Sequence, residues 1–141
     1  MKTVYSYYVL DVIHSGHILM MKNAKALAGE DGKSIVGILT DKAVMEKKPR
    51  PTLSLRERMT IAESIKYVDM VVAQETYSPL SNVENVKPDI LIESVSHSKK
   101  DIKKARKVMK SLGGKVIVLP YYPLQSSTKI KKRIKNNGRK T

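Results

Sequence analysis

Cysteine, tryptophan and phenylalanine are absent from this 141-residue chain, and acids are scarce, with 13 Asp or Glu against 27 Lys or Arg. Without cysteine there are no disulfides and no thiolate metal sites, and nothing points to an oxidising compartment. The only aromatics are seven tyrosines, so the positive charge is not accompanied by the platform of aromatics interleaved with arginine that a single-strand nucleic-acid binder needs. No apolar run approaches the ~18 residues of a membrane span, and the amino terminus lacks the charged, apolar and cleavage regions of a secretory leader. A soluble cytoplasmic protein is the expectation, with no membrane partner. The length suits one domain around a single core, with no separate regulatory domain.

Negative charge is scarcest towards the carboxyl terminus. Residues 97–141 hold 15 Lys or Arg and one acid, Asp101, against 12 and 12 in residues 1–96. The net charge of +14 calls for anionic partners. A basic final third can bind nucleic acid or an anionic surface, but is read here as a solvated face that also draws in a polyanionic substrate.

What is present is organised around Asp11-Val-Ile-His14-Ser-Gly-His17. The preceding run, Thr3 to Leu10, is β-branched and aromatic and reads as a buried strand. The following segment, with Met20, Ala24 and Leu27 at i, i+4 and i+7, reads as an amphipathic helix. Gly16 allows close backbone approach to a ligand, and the start of a helix offers unpaired N–H groups and a positive dipole end. Two imidazoles there would face an anion, a phosphate above all. The same spacing also suits a helix cap, a polar pocket or a metal-binding His pair.

Further on, Lys33 to Thr40 reads as a second strand, which completes a βαβ unit and favours a parallel sheet. Residues 41–52, with two prolines and Lys47 and Lys48, are expected to form a loop on the ligand side. Ser54 and Glu57 have capping-box spacing and open a helix through Ile61, Ala62 and Ile65. Three short strands follow at 69–73, 90–92 and 116–119. The last two flank a Lys-rich helix marked by Ile102, Ala105, Met109 and Leu112, which stops at Gly113-Gly114. A final helix begins near Ser126-Ser-Thr128 with Ile130 and Ile134 on its inner face, and residues 136–141 are expected to be a basic disordered tail. The alternation implies a single-domain α/β fold over residues 1–135, a Rossmann-like doubly wound parallel five-stranded sheet with the first strand at its centre. Three loops then converge at the carboxyl ends of the strands.

In that order the Asp-x-x-His-x-Gly-His turn, the basic loop, Leu55-Arg-Glu-Arg58, Lys66-Tyr-Val-Asp69 and Ser126-Ser-Thr-Lys-Ile130 resemble the small cytidylyltransferases of the HxGH nucleotidyltransferase superfamily, from roughly Val4 to Ile134. The resemblance implies transfer of CMP from CTP to a small acceptor, with Mg2+ and release of pyrophosphate. Acceptors of that group include 2-aminoethylphosphonate, phosphocholine, phosphoethanolamine and glycerol 3-phosphate. It implies that His14 and His17 contact the nucleotide phosphates, with Lys47 bridging the α-phosphate and the acceptor and Lys48 nearby. It implies that Ser126, Ser127 and Thr128 hold the outer phosphates, that Asp11 and Gly16 shape the nucleotide turn, and that Arg58 touches the acceptor or triphosphate. A homodimer is implied through Lys66-Tyr-Val-Asp69. No metal ligand is assigned.

The chain departs from the family pattern at Tyr8 and Val9, where glycine and threonine usually approach the nucleotide. Glu93-Ser-Val-Ser-His97 replaces a Gly-Asp-Asp-Trp-like segment, and Tyr121 replaces an arginine that opens the late signature in glycerol-phosphate enzymes. His97 and Tyr121 are therefore candidates for acceptor selection, although His97 also suits a helix cap. The Tyr-rich late signature is closer to the phosphonate branch. Two rival readings stay open: an adenylyltransferase of the same superfamily making FAD from FMN and ATP, and a non-catalytic basic nucleic-acid-binding module.

Overall fold

Strand β1 (Thr3–Tyr8) alternates its side chains between two buried faces, because successive residues of a strand point to opposite sides. Val4 packs on one side against Ala24 and Ala28, while Tyr5 packs on the other with Leu91, Ala105 and Met109. A strand covered on both faces belongs in the middle of a sheet. The computed structural model, which describes residues 1–120 and 127–139, places it there: the all-parallel order is β3-β2-β1-β4-β5.

The remaining strands are β2 (Lys33–Leu39), β3 (Met70–Gln74), β4 (Ile90–Ser94) and β5 (Lys115–Leu119). Helices α1 (Ser15–Ala28) and α3 (Leu55–Glu63) cover one face, with Met21 and Ala62 meeting Val36 and Ile38 of β2. Helices α4 (Leu80–Val86) and α5 (Lys99–Ser111) cover the other, through Val83, Ala105 and Met109. The chain leaves β1 for β2 on one side and returns to β4 on the other, so the crevice between β1 and β4 is the topological switch point where ligands of such sheets bind. Gly37 of β2 makes room for a polar link under the sheet. A Cβ there would lie 2.0 Å from the Tyr5 hydroxyl, which donates to Gln74 Oε1 at 2.6 Å and accepts from Asn82 at 3.0 Å.

The doubly wound architecture expected from the sequence is present, and so is the capping box of α3. Ser54 Oγ accepts from the Glu57 N–H while Glu57 Oε1 accepts from the Ser54 N–H, each at 3.2 Å. Three local expectations need correction. Residues 41–52 are not irregular throughout, since Thr40 Oγ1 accepts from the Ala43 N–H at 3.1 Å and starts a one-turn helix, α2 (Asp41–Val44). Helix α6 (Ser127–Arg139) continues through residues expected to be a disordered tail. The lone Gly138 costs a helix only about 1 kcal/mol relative to alanine, and no proline interrupts the segment. Ile134, expected on the inner face of α6, is 65% exposed.

Candidate active site

The first strand leads into the site through a buried residue in left-handed backbone geometry, Leu10 at φ 60°. Such a conformation is strained for a branched residue by roughly 1–3 kcal/mol and persists only where the surroundings enforce it. It turns the chain so that His14 becomes the N-cap of α1. His14 Nδ1 accepts from the Gly16 N–H at 3.0 Å, and His17 Nδ1 accepts from the His14 N–H at 3.2 Å. This is a capping box built from two imidazoles.

The cap reading and the phosphate reading are thus compatible, because each uses a different nitrogen. With both Nδ1 atoms accepting, a neutral ring carries its proton on Nε2. Both rings line a cavity of about 880 Å³ at the carboxyl ends of β1 and β4. Burial lowers the pKa of His14, and burial with the neighbouring His14 charge lowers that of His17 to about 4. The ring centroids are 4.0 Å apart, so two imidazolium charges would repel. At neutral pH the pair therefore consists of two uncharged Nε2–H donors at the positive end of a 14-residue helix. Tyr8, replacing the family's glycine, sets its ring nearly perpendicular to that of His17 at 6.0 Å between centroids, and its hydroxyl is buried without a hydrogen-bond partner.

Asp11 ties three segments of the wall together. Its carboxylate accepts from the N–H groups of Thr52 at 3.0 Å and Leu53 at 2.8 Å, and from the ammonium of Lys131 on α6. Burial would raise this carboxyl, but the Leu53 N–H, Lys131 and the Thr52 N–H outweigh it and hold the pKa below the usual carboxylate value. Asp11 is a positioning group for the 48–53 loop and α6. Ser127 adds a second tie, donating to the Val12 carbonyl at 2.7 Å. Thr128, Lys131, Lys132 and Lys135 then line the cavity as one stripe of α6, spaced i, i+3, i+4 and i+7.

Val9 and Gly16 also sit on the cavity wall, whereas Ser126 and Tyr121 lie outside the described residues. Two assignments change. Arg58 does not reach the cavity. It is fully buried, and its guanidinium donates to the carbonyls of Leu53 at 3.1 Å, Val9 at 2.8 Å and Leu39 at 2.7 Å, and to Asp41 at 2.8 Å. Those partners are the exits of β1 and β2 and the following loop, so Arg58 is a strut beneath the site and neither a surface ion pair nor an acceptor contact. Lys47 turns away, lying 3.9 Å from Asp101 and 4.8 Å from the centre of the Tyr77 ring. The turn that ends α2 rotates the loop so that Lys48 and Arg50 are the cations on the wall.

A second cluster lies across the switch point. The Tyr7 hydroxyl donates to both oxygens of Glu93, at 3.0 and 2.8 Å, and Glu93 also contacts His97 Nδ1. The rings of Tyr7 and His97 stack at 5.6 Å. Burial and the adjacent Glu93 charge push the Tyr7 phenol far above its ordinary pKa, so it stays protonated. Sequence reasoning had singled out His97 but not Tyr7 or Glu93, nor the lysines of α6. The α6 stripe was readable from its helical spacing. Tyr7 and Glu93 meet only through the pairing of β1 with β4.

Among the described residues no group of three or more His, Asp or Glu is arranged to hold a metal ion. The two acids on the cavity wall, Asp11 and Glu93, are already engaged. Among the described residues no helix is long and apolar enough to cross a membrane.

Comparison with known proteins places this geometry in context. The model of the Cytidylyltransferase-like family matches residues 9–133. The FAD synthase of Methanothermus fervidus is 31% identical over 130 residues, covering 89% of each chain. That of Korarchaeum cryptofilum is 32% identical over 126 residues, covering 88% of this chain and 85% of the other. The bifunctional protein HldE of Gluconobacter oxydans is 30% identical over 131 residues, 92% of this chain, which spans only 26% of that protein's length. The crystal structure of a lipopolysaccharide core biosynthesis protein from Thermoplasma volcanium superposes with a TM-score of 0.71 at 24% identity, over 86% of this chain and 97% of the other, a likeness of fold.

Proposed function

The chain belongs to the cytidylyltransferase-like family of nucleotidyltransferases, and from that premise we propose that it moves CMP from CTP to the phosphonate or phosphate group of a small acceptor. An acceptor oxygen attacks the α-phosphorus in line, forming the new P–O bond as the bond from phosphorus to the bridging β-phosphate oxygen breaks, and pyrophosphate leaves with the electron pair. The observation that carries this reading is the pair of neutral imidazoles that carry their protons on Nε2, because their Nδ1 atoms are used in the cap, on the wall of a cavity also lined by Lys48, Arg50, Lys131, Lys132 and Lys135. Donors fixed by a capping box need no reorganisation when charge moves onto the phosphate oxygens, and that is where preorganisation is most effective. Thr128 and the lysine stripe of α6 are assigned to the β- and γ-phosphates, and Lys48 to the region between nucleotide and acceptor. Magnesium is assigned to the triphosphate oxygens, since such ions are commonly held by substrate phosphates and water.

Support for CTP and a phosphonate comes from the order of motifs and the Tyr-rich late segment. A second reading, transfer of AMP from ATP to FMN, is favoured by one specific observation: the FAD synthases are matched over 89% and 85% of their own lengths. A homodimer through the Lys66 to Asp69 segment remains part of the proposal, with Asp69 itself already bonded to Lys25 and to the Ser34 N–H, each at 2.8 Å. Pyrophosphate release with CTP or ATP and Mg2+, against 2-aminoethylphosphonate, phosphocholine, phosphoethanolamine, glycerol 3-phosphate and FMN, tests these readings. Release with CTP and a small acceptor is expected. Release only with ATP and FMN would replace it with the second reading. Silence throughout, with no nucleotide binding, would leave the basic polyanion-binding role.

A further inference from the structure

We propose that the outward face of α5 is a second binding surface, separate from the cavity, and that it takes double-stranded DNA through the phosphates of its backbone, without reading sequence. The proposal goes beyond the transferase reading and does not depend on it.

The basic final third, which reads from the sequence as one solvated face, is divided by the fold into two surfaces. Lysines of α6 line the cavity, whereas no residue of α5 does. Helix α5 buries Ala105 and Met109 against the sheet, with Ile102, Val108 and Leu112 half-buried beside them. At about 100° per residue, the opposite side is filled by Lys100, Lys103, Lys104, Arg106, Lys107 and Lys110, all exposed. Together these six line a surface groove of about 540 Å³. The one acid of the helix, Asp101, is engaged by Lys47 at 3.9 Å. Among the described residues none of the five lysines on that side forms an ion pair, and Arg106 donates to the Val116 carbonyl at 3.4 Å.

Solvation alone does not call for a face of one sign. Helix α3, on the other side of the sheet, exposes Arg56 together with Glu57 and Glu63. On α5 like charges recur three and four residues apart, where they repel one another and weaken the helix. An approaching row of anions relieves that repulsion. The face has no tyrosine on which unpaired bases could stack, and no exposed large apolar side chain to enter a bilayer. What it offers is a run of cations about 15 Å long from Lys100 to Lys110, at 1.5 Å per residue. That length spans about four phosphates of one DNA strand at ~3.4 Å each. Lys104 stands on one flank of the helix and Arg106 and Lys110 on the other. A cationic cylinder about 10–12 Å across suits the ~12 Å major groove of B-form DNA with phosphates on either rim, and the groove of A-form RNA is too narrow for it.

The test is fluorescence anisotropy of a labelled, mixed-sequence DNA duplex of about 20 base pairs, titrated with the full chain between about 50 and 200 mM salt. Four phosphate contacts predict a slope of log K against log salt of about −3.6, so that affinity falls about 10²-fold across that range. Lys100→Gln, Lys103→Gln and Lys107→Gln together keep helix propensity and should flatten the slope by about 0.9 for each cation removed. Arginine at the same three positions should keep it. Lys132→Gln with Lys135→Gln on α6 should leave the slope within about 1 of wild type, and saturating CTP should not displace the duplex. No binding at about 50 mM salt, an unchanged slope in the α5 glutamine variant, a loss confined to the α6 variant, or displacement by CTP would overturn the proposal. Tighter binding of an RNA duplex or a single DNA strand of the same length, or of phosphatidylserine vesicles, would overturn it as well, by giving the face to another polyanion. Pyrophosphate release keeps this surface apart from the cavity. The α5 glutamine variant should match wild type in kcat while losing the duplex, and a parallel loss of kcat would merge the face with the active site and end the proposal.

Discussion

His14 is asked to do two jobs with two nitrogens, and they can be separated by substitution. Its Nδ1 caps α1 through the Gly16 N–H, and its Nε2–H is assigned to the reacting phosphate. His14→Ala removes both. Loss of a good N-cap costs about 1 kcal/mol, which for a chain of this length corresponds to a fall in Tm of about 4 °C. Loss of a preorganised donor to developing charge costs about 10²–10³ in kcat, or roughly 2.7–4 kcal/mol of barrier. His14→Asn should restore the first and not the second, since asparagine is among the best N-cap residues but its short amide does not extend to the imidazole Nε2 position. Differential scanning fluorimetry should place the His14→Asn variant within about 1 °C of wild type, and a pyrophosphate-release assay should leave both variants slower by about 10² or more. If His14→Asn recovered turnover along with Tm, the ring would be a cap alone. A loss under about tenfold in both variants would equally refute its role in the transition state.

The depressed pKa of His17 predicts a pH-dependent stability. The unfolded imidazole titrates near 6.5 and the folded one near 4, so the unfolded state binds the extra proton and stability is lost as pH falls through that window. His17→Gln, which keeps a capping-box acceptor, should flatten Tm between pH 6.5 and 4; an unchanged slope would contradict the assignment. Asp11 and Asp69, held below 3.8, should lose their contribution only at lower pH. Arg58→Met strands three carbonyls and Asp41 beneath the site and should cost about 3–5 kcal/mol in urea denaturation, the scale for breaking a buried ion pair. Wild-type stability with only a raised acceptor KM would return Arg58 to the substrate. Lys48→Ala should raise KM for nucleotide or acceptor by about tenfold, the scale of a charge-assisted hydrogen bond, and slow turnover. Lys47→Ala should change neither by more than about threefold, in keeping with a surface ion pair, and the reverse order in steady-state kinetics would refute the placement.

Much of the architecture was legible because it depends on local chemistry. Apolar runs bounded by turn residues marked five strands, and the Ser54–Glu57 pair marked the start of α3 within one residue. The His-x-Gly-His turn could be placed at a helix start because both of its ring–backbone bonds close within three residues. The errors arose where a local signal was overridden by what packed against it. Proline and charge in residues 46–51 obscured the Thr40 cap and the single turn of α2, which in turn decides that Lys48 and not Lys47 faces the cavity. Helical spacing groups Ile130 with Ile134, but only Ile130 is half-buried and Ile134 is exposed. The stripe that lines the cavity carries Thr128, Lys131 and Lys132, tied by Lys131 to Asp11.

The sequence by itself determined the fold class, the central first strand and the imidazole pair at the first helix, since these follow from periodicity, capping and chain order. Only the tertiary structure decided which charges meet. Arg58 lies 49 residues from Val9, Lys131 lies 120 from Asp11, and Glu93 lies 86 from Tyr7. A side chain's charge can be read from one letter, but its function depends on desolvation and on its partners, and both are set by the pairing of β1 with β2 and β4 and by the docking of α3 and α6. That is why an arginine that reads as a substrate contact is a buried strut, and why a glutamate with no signal of its own comes to anchor Tyr7 and His97 on the wall of a cationic cavity.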